Sequence, residues 1–359
     1  MNSLTQIPPG TQILIGEDAI QRRALERMIF DVFEGWSYDE IIPPMFDYFD
    51  VFIKGMGTDL EERIYRFIDQ EGNLLALRPE FTSLLAKMSA TRLSTLQEPV
   101  RLSYSGEVFR FEAPKGGRQR EFAQIGIEHY GGDTLTADVE VLLICMEVFE
   151  KLGLSDFQIN LGSVDFFGGI VDLIDLPTDE LEKLKHLLGL KDQTGLEQLL
   201  DDVSLEEGKA QILRSLPHLV GGREAIEQAR SLISNDRSSC ALDHLEDIYA
   251  VFDNLKLEEH LAIDLGEVRG FDYYSGMLFS AYVPGLGFEV ALGGRYDGLT
   301  AQFGHDSKAV GFSFTLDRLE QIVQHDIEKR VAETLDSSVE NRFAEAVRRR
   351  REGKKVNLC

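Results

Sequence analysis

Strand-like alternation lies on both sides of a long helical stretch, and this split constrains the fold more than any other feature. From residue 64 to about residue 131, short apolar runs alternate with turns, as in 64–68, the turn Gln70-Glu71-Gly72-Asn73, and 74–77. That pattern predicts hairpins in an antiparallel sheet. Residues 163–255 read as mostly helical: Leu181, Leu184, Leu187 and Leu188 form one stripe, with Asp179 and Glu180 in the first turn. Strands resume at 262–268, 277–283 and 288–292, the last two joined by the turn Pro284-Gly285-Leu286-Gly287. A single sheet built from two separated parts of the chain, with a helical insertion between them, satisfies all three observations. The expected class is α+β.

The flanking elements fit that scheme. Residues 18–34 predict an amphipathic helix, because Ile20, Ala24, Met28, Ile29, Val32 and Phe33 recur near 3.6-residue spacing, and Gly35 suits its C′ position. A strand over 36–42 follows and is stopped by Pro43-Pro44. Residues 138–152 predict an apolar helix closed by Gly153, 157–161 a strand, and a final helix is expected to begin near Ser313. The basic run from Arg348 to Lys355 suits either the solvated end of a helix or a contact with a partner.

Bulk chemistry narrows the function classes. The chain has 359 residues, 62 acidic and 37 basic, for a net charge of −25. Such a charge opposes encounter with nucleic acid unless a local basic patch reverses the field. No apolar run approaches the ~20 residues of a membrane helix, and residues 1–10 lack the apolar core of a signal peptide. Three widely spaced cysteines form neither a disulfide framework nor a zinc spacing, so no metal is expected and the cytoplasm is the natural compartment.

The residues that carry chemistry suit a free amino acid. Its ammonium needs carboxylates, its carboxylate a guanidinium, and its side chain selective contacts; a buried charge left unpaired costs several kcal/mol. Leu77-Arg78-Pro79-Glu80-Phe81-Thr82 places Glu80 and Thr82 together on a strand or turn, and Arg110 lies in Val108-Phe109-Arg110-Phe111-Glu112. In 121–128, alternation with period two puts Phe122, Gln124, Gly126 and Glu128 on one face. The intervening loop, with Lys115, Arg118 and Arg120, suits phosphate contact or a solvated turn equally.

These strings resemble a histidyl-tRNA synthetase, a class II aminoacyl-tRNA synthetase. Arg110-X-Glu112 with its basic loop and Arg120-Glu121-Phe122-X-Gln124-X-Gly126-X-Glu128 look like motif 2. Residues 309–319, Ala-Val-Gly-Phe-Ser-Phe-Thr-Leu-Asp-Arg-Leu, look like motif 3. Val268-Arg269-Gly270-Phe271-Asp272-Tyr273-Tyr274 and Gly293-Gly294-Arg295-Tyr296-Asp297 look like the histidine motifs, and the helix and strand before Pro43 like motif 1, the dimer element. The resemblance implies a class II synthetase-like antiparallel sheet flanked by helices. It implies histidine binding by Glu80, Thr82, Arg110, Gln124, Glu128, Arg269, Tyr273 and Tyr274. Arg269 would meet the carboxylate with two hydrogen bonds, the two tyrosines would lie near the imidazole, and Gly293-Gly294 would admit close backbone approach. A vestigial ATP site would comprise Arg110, Glu112, Phe122 and Arg318.

Departures from the synthetase pattern point to a relative of it. Ala113-Pro114-Lys115 stands where synthetases read Arg-Pro-Gln, and no histidine precedes Gln124. An anticodon-binding domain of on the order of 100 residues is not expected after residue 325. With Leu152-Gly153-Leu154 and Gly189-Leu190-Lys191-Asp192, these features resemble the regulatory subunit of ATP phosphoribosyltransferase. That resemblance implies a non-catalytic subunit of histidine biosynthesis, with no cofactor, that takes part in feedback inhibition by histidine. Its implied partners are a short-form catalytic subunit in a hetero-octamer and a second copy of itself through motif 1. The expected organisation is a core over 1–168 and 258–325, a helical insertion over 169–257 and a polar tail over 326–359. The alternative is a truncated synthetase-like enzyme that adenylates histidine.

Overall fold

The computed structural model describes residues 5–56, 58–111, 119–174, 176–203, 205–268, 274–323, 333–334 and 339–357. Residues Met1–Val323 form one compact unit and Gln324–Cys359 a second.

The first unit opens with helix α1 (Glu17–Gly35) and the short strand β1 (Asp39–Glu40). Leu25, Ile29, Val32 and Phe33 give α1 its buried stripe, and Glu17 and Asp18 sit favourably at its N-terminus. Strands β2 (Phe46–Tyr48), β3 (Arg66–Ile68) and β4 (Leu74–Leu77) form a separate antiparallel sheet in the order β2-β4-β3. Helices α2 (Phe49–Met56) and α3 (Thr82–Thr91) accompany it. The two long strands β5 (Val100–Phe109) and β6 (Glu121–Tyr130) then pair antiparallel along their full lengths.

After helix α4 (Thr134–Lys151), capped by the Asp133 side chain, and strand β7 (Gln158–Ser163), the chain is helical through α5 (Val164–Ile174), α6 (Thr178–Gly189), α7 (Gln193–Val203), α8 (Glu207–Ser215), α9 (Arg223–Leu232) and α10 (Asp236–Leu255). One short strand, β8 (Val220–Gly221), interrupts this region. Strands β9 (Leu261–Asp264), β10 (Met277–Tyr282), β11 (Ala291–Arg295) and β12 (Ala309–Thr315) complete the main sheet, with the short helices α11 (Asp297–Gln302) and α12 (Leu316–Leu319). The nine strands run in the order β1-β5-β6-β12-β11-β10-β7-β9-β8. Pairing is antiparallel except for β1 with β5 and β7 with β9. Sequence-distant strands are therefore neighbours, and β6 lies directly against β12.

Several boundaries differ from expectation. The strand expected over 36–42 shrinks to Asp39–Glu40, which alone pair with Leu102 and Ser103 at the sheet edge. Ser313 sits within β12, not at a helix start, because Phe312 and Phe314 alternate inward. The strand expected over 288–292 is shifted to Ala291–Arg295.

The core lies on one face of the sheet. Ile125, Ile127, Phe312, Phe314, Phe279 and Ala281 share that face and are buried, covered by α1 and α4. Phe33 meets Phe312 edge-on at 6.2 Å, and Phe149 meets Phe314 at 5.4 Å. In the second unit, α13 (Val339–Arg351) lies between the parallel-paired strands β13 (Glu333–Thr334) and β14 (Val356–Asn357) in the chain. Arg348 to Arg351 fill the last turn of α13, and Glu345 pairs with Arg348 and Arg349.

Candidate functional site: a glycine-lined cradle around Glu128

The opposite face of the same strands is built differently. Direct cross-strand partners share a face, so register places Leu102, Glu128, Gly311 and Gly294 in one row and Tyr104, Gly126, Ser313 and Leu292 in the next. Gly106, Gln124 and Thr315 follow. Four of these positions lack a side chain. A Cβ on Gly311 would overlap the Glu128 carboxylate, and one on Gly294 would come within 2.8 Å of the Tyr274 ring. The glycines leave the room that neighbouring side chains take up: the Glu128 carboxylate against Gly311, the Tyr274 ring against Gly294, the Tyr104 hydroxyl against Gly126 and Arg78 against Gly106, which together line a cradle.

Glu128 lies at its floor, 1% exposed. Thr82 donates to Oε1 at 2.9 Å and Tyr104 to the same oxygen at 3.3 Å, while Tyr296 donates to Oε2. Burial pushes the Glu128 carboxyl up to about 8 against the lowering effect of these donors, and the neighbouring charge of Glu80 pushes the same way. Glu80 lies in the turn before α3, where its carboxylate accepts the Ser83 backbone N–H at 3.0 Å, as an N-cap would. It remains partly open to solvent, yet burial of its carboxyl raises its pKa as well. Two carboxylates thus face the cradle without a cation bonded to either among the interactions described.

A cationic end completes the arrangement. Arg110 donates to the Pro79 carbonyl at 2.8 Å and lies over the Phe122 ring at 5.3 Å. Its pKa falls to about 10, chiefly through burial; Glu80 opposes the shift, and Arg63 and Arg318 add to it. Arg318 lies over Phe288 at 4.7 Å and donates to the Glu289 carboxylate at 3.1 Å. Its neighbour Asp317 fixes α12 in place by accepting from Arg22 at 2.8 Å and from the Ala123 N–H at 2.7 Å. Gln124 donates to Ser313 Oγ at 3.3 Å on the cradle face.

Glu80, Thr82, Arg110, Phe122, Gln124, Glu128, Tyr274 and Arg318 therefore gather around one cradle. Arg269, Tyr273 and Glu112 lie outside the described residues, as do Lys115 and Arg118 of the basic loop. Sequence reasoning missed Tyr104, Tyr296 and Gly311, although the strings containing Tyr296 and Gly311 had been singled out. It also missed a buried network behind β11, where Asp138 takes Arg295 at 2.6 Å and His244 at 2.7 Å. Arg295 in turn pairs with Asp297, whose N–H bonds to Ser275 Oγ at 2.7 Å. This holds the segment that follows the 269–273 string. Among the described residues, no group of His, Cys, Asp and Glu is placed to hold a metal, and no helix is long and apolar enough to cross a membrane.

A mainly antiparallel sheet with helices packed on its apolar face and a charged, glycine-lined cradle on the other is the fold of a class II aminoacyl-tRNA synthetase core. Residues 10–319 match the family model described as histidyl-tRNA synthetase. A curated relative from Moorella thermoacetica, an ATP phosphoribosyltransferase regulatory subunit, is 40% identical over 88% of this chain and 81% of its own. A regulatory subunit from Syntrophotalea carbinolica is 36% identical over 92% and 77%, respectively. A Bacillus halodurans structure described as an ATP phosphoribosyltransferase regulatory subunit/histidyl-tRNA synthetase superposes with a TM-score of 0.88 at 28% identity, covering 99% of this chain and 93% of that one. Histidyl-tRNA synthetase from Nostoc shares the fold, with a TM-score of 0.80 at 20% identity over 98% and 85% of the two chains. The chain belongs to the ATP phosphoribosyltransferase regulatory-subunit family.

Proposed function

We propose that the chain binds L-histidine in the Glu128 cradle and acts as a non-catalytic regulatory subunit of a short-form ATP phosphoribosyltransferase. In that role it enables the first step of histidine biosynthesis and relays feedback inhibition by histidine. The observation that carries the reading is the pairing of two recessed carboxylates, Glu80 and Glu128, with Arg110 beside Glu80, on a sheet face where Gly311 makes room for the Glu128 carboxylate. The carboxylates suit an ammonium and a protonated or hydrogen-bonding ring. Arg269 is assigned to the ligand carboxylate and Tyr273 and Tyr274 to the imidazole. Histidine bound in this way shifts the complex only by as much as its affinity differs between two states, commonly ~1–3 kcal/mol.

The same reading assigns a core to 1–168 and 258–325, an insertion to 169–257 and a tail to 326–359. It also assigns a homodimer through the motif 1 region, a hetero-octamer with the catalytic subunit, and a cytoplasmic location. Self-association is supported by exposed apolar side chains at the end of that region and just beyond it, Ile42, Met45, Phe46 and Tyr48, with Phe46 and Phe67 in edge-on contact at 5.9 Å. Calorimetry with L-histidine tests the pocket: Glu128→Ala weakens binding at least tenfold, and unchanged affinity refutes the assignment. Capture of a short-form catalytic subunit, with and without histidine, tests the partnership.

A second reading, an enzyme that adenylates histidine, is favoured by one observation: Arg110 over Phe122, with Arg318 near enough to oppose its charge. Histidine-dependent exchange of pyrophosphate into ATP separates the two. We assign no aminoacylation activity to the chain, and absence of that exchange is the expected result.

A further inference from the structure

We infer that Tyr296 is the positioning residue of the cradle, fixing the plane of the Glu128 carboxylate so that its remaining lone pairs face the ligand. The inference deepens the histidine-binding reading and rests on it for the identity of the ligand. The donors around Glu128 are divided between its two oxygens. Oε1 receives Thr82 from the start of α3 and Tyr104 from β5. Oε2, which lies over Gly311, receives the phenol of Tyr296. One oxygen keeps a second donor if either partner is lost; the other has Tyr296 as its described protein donor. A carboxylate held at both oxygens from opposite sides cannot rotate about its terminal torsion, which is otherwise broad.

Tyr296 is itself held rigidly. Its ring is 1% exposed and meets Tyr130 edge-on at 6.5 Å. Its backbone N–H bonds to the Ala309 carbonyl at 2.8 Å. The residues on either side are both pinned: Arg295 to buried Asp138, and Asp297 to Arg295 and to the Ala309 N–H at 2.8 Å. The phenol has no room to swing away, and Gly311 leaves the space in which Oε2 lies. The titratable groups near Glu128 are Tyr38 before β1, Tyr104 on β5, Tyr130 on β6, whose hydroxyl lies against that of Tyr296, Glu80 before α3 and Tyr296 itself. Of these, only Tyr296 bonds Oε2 among the described interactions. Its hydroxyl stabilises the ionised carboxylate, the form a cationic ligand requires.

The test uses the full chain and two isosteric variants, Tyr296→Phe and the control Tyr38→Phe, which removes a buried phenol bonded to Glu140 and not to Glu128, both checked by thermal melting. Infrared difference titration follows the Glu128 carboxyl band, identified by its loss in Glu128→Gln. Tyr296→Phe moves the Glu128 midpoint up by about one pH unit, and histidine binds about tenfold more weakly near neutral pH. Tyr38→Phe leaves the midpoint where it is in the unmodified chain. A Glu128 midpoint unchanged in Tyr296→Phe overturns the inference, as does an equal shift in both variants, which would make the effect one of packing. If the midpoint moves but the unmodified chain binds no histidine, Tyr296 still positions Glu128 and the histidine reading fails instead.

Discussion

The two faces of the main sheet share strands and register yet obey opposite rules. On the face toward α1 and α4, Ile125, Ile127, Phe312 and Phe314 fill space without a polar atom. On the other face the same strands present Gln124, Gly126, Glu128, Gly311 and Ser313. The first face stabilises the fold by burying apolar surface. The second keeps a carboxyl in a setting that resists its ionisation, and Gly311 leaves the room in which that carboxyl lies. The period of two in a strand allows both designs to be written in one sequence. On the proposed reading, stability and recognition are thereby separated residue by residue along β6 and β12.

That separation is most directly broken from the apolar side. Phe314→Ala removes a fully buried ring packed on Phe149 and is expected to cost about 3–5 kcal/mol in denaturant unfolding. Any histidine binding by the folded fraction should change less than threefold. A large loss of intrinsic affinity would mean that the faces are not independent. On the cradle side, Gly311→Ala drives a methyl group into the Glu128 carboxylate. Its expected signature is the reverse: about a hundredfold loss of histidine affinity in calorimetry, with a smaller unfolding cost of about 1–3 kcal/mol from overpacking.

How far the sequence reveals these faces depends on what each residue needs. Alternation alone placed Phe122, Gln124, Gly126 and Glu128 together, since a strand fixes its own two faces. It did not reveal that Glu128 is buried, which depends on Tyr104, Thr82 and Tyr296 arriving from three other elements. Tyr296 lay in a string already singled out, but its role depends on the register that sets Glu128 opposite Gly311 and Gly311 opposite Gly294. Residues 309–319 misled at the strand–helix boundary because apolar residues in the string satisfy both periods; pairing of β12 with β6 and β11 decides for strand through Thr315. The split of the sheet around a helical stretch was legible, but the edge strand Val220–Gly221 within that stretch was not. Two residues carry too little pattern to announce a strand.

The comparison is sharpened by pH. Glu128 holds its proton up to about 8 in the folded chain, well above an ordinary glutamic acid, because burial disfavours its charge. Between roughly pH 4.5 and 8 the folded state therefore binds more protons than the unfolded state, so this group's contribution to stability falls as pH rises through that window. Below the window both states are protonated; above it both are ionised, and the loss is complete. Glu128→Gln removes the effect. Stability of the variant relative to the unmodified chain should rise by up to ~1.4 kcal/mol per pH unit across the window, read from urea unfolding at several pH values. A difference independent of pH would show that the carboxyl is not desolvated. Histidine binding near neutral pH should also release protons as the ligand's cation ionises Glu128, measurable by calorimetry in buffers of unlike ionisation enthalpy.

The smallest effect is the most demanding test of the two-face account. Ser313 lies between Phe312 and Phe314 in β12 but points to the cradle, partly exposed, and accepts from Gln124 at 3.3 Å. Ser313→Ala deletes that acceptor, and because both residues are partly exposed, solvent replaces it for Gln124. The expected change in unfolding free energy is therefore below ~1 kcal/mol, with histidine affinity altered by no more than a few-fold. Residues 312 and 314 on either side are expected to cost several times more. If Ser313→Ala destabilised the chain as much as Phe314→Ala, the cradle face would be packed as a second core, and the division of labour between the faces would fail.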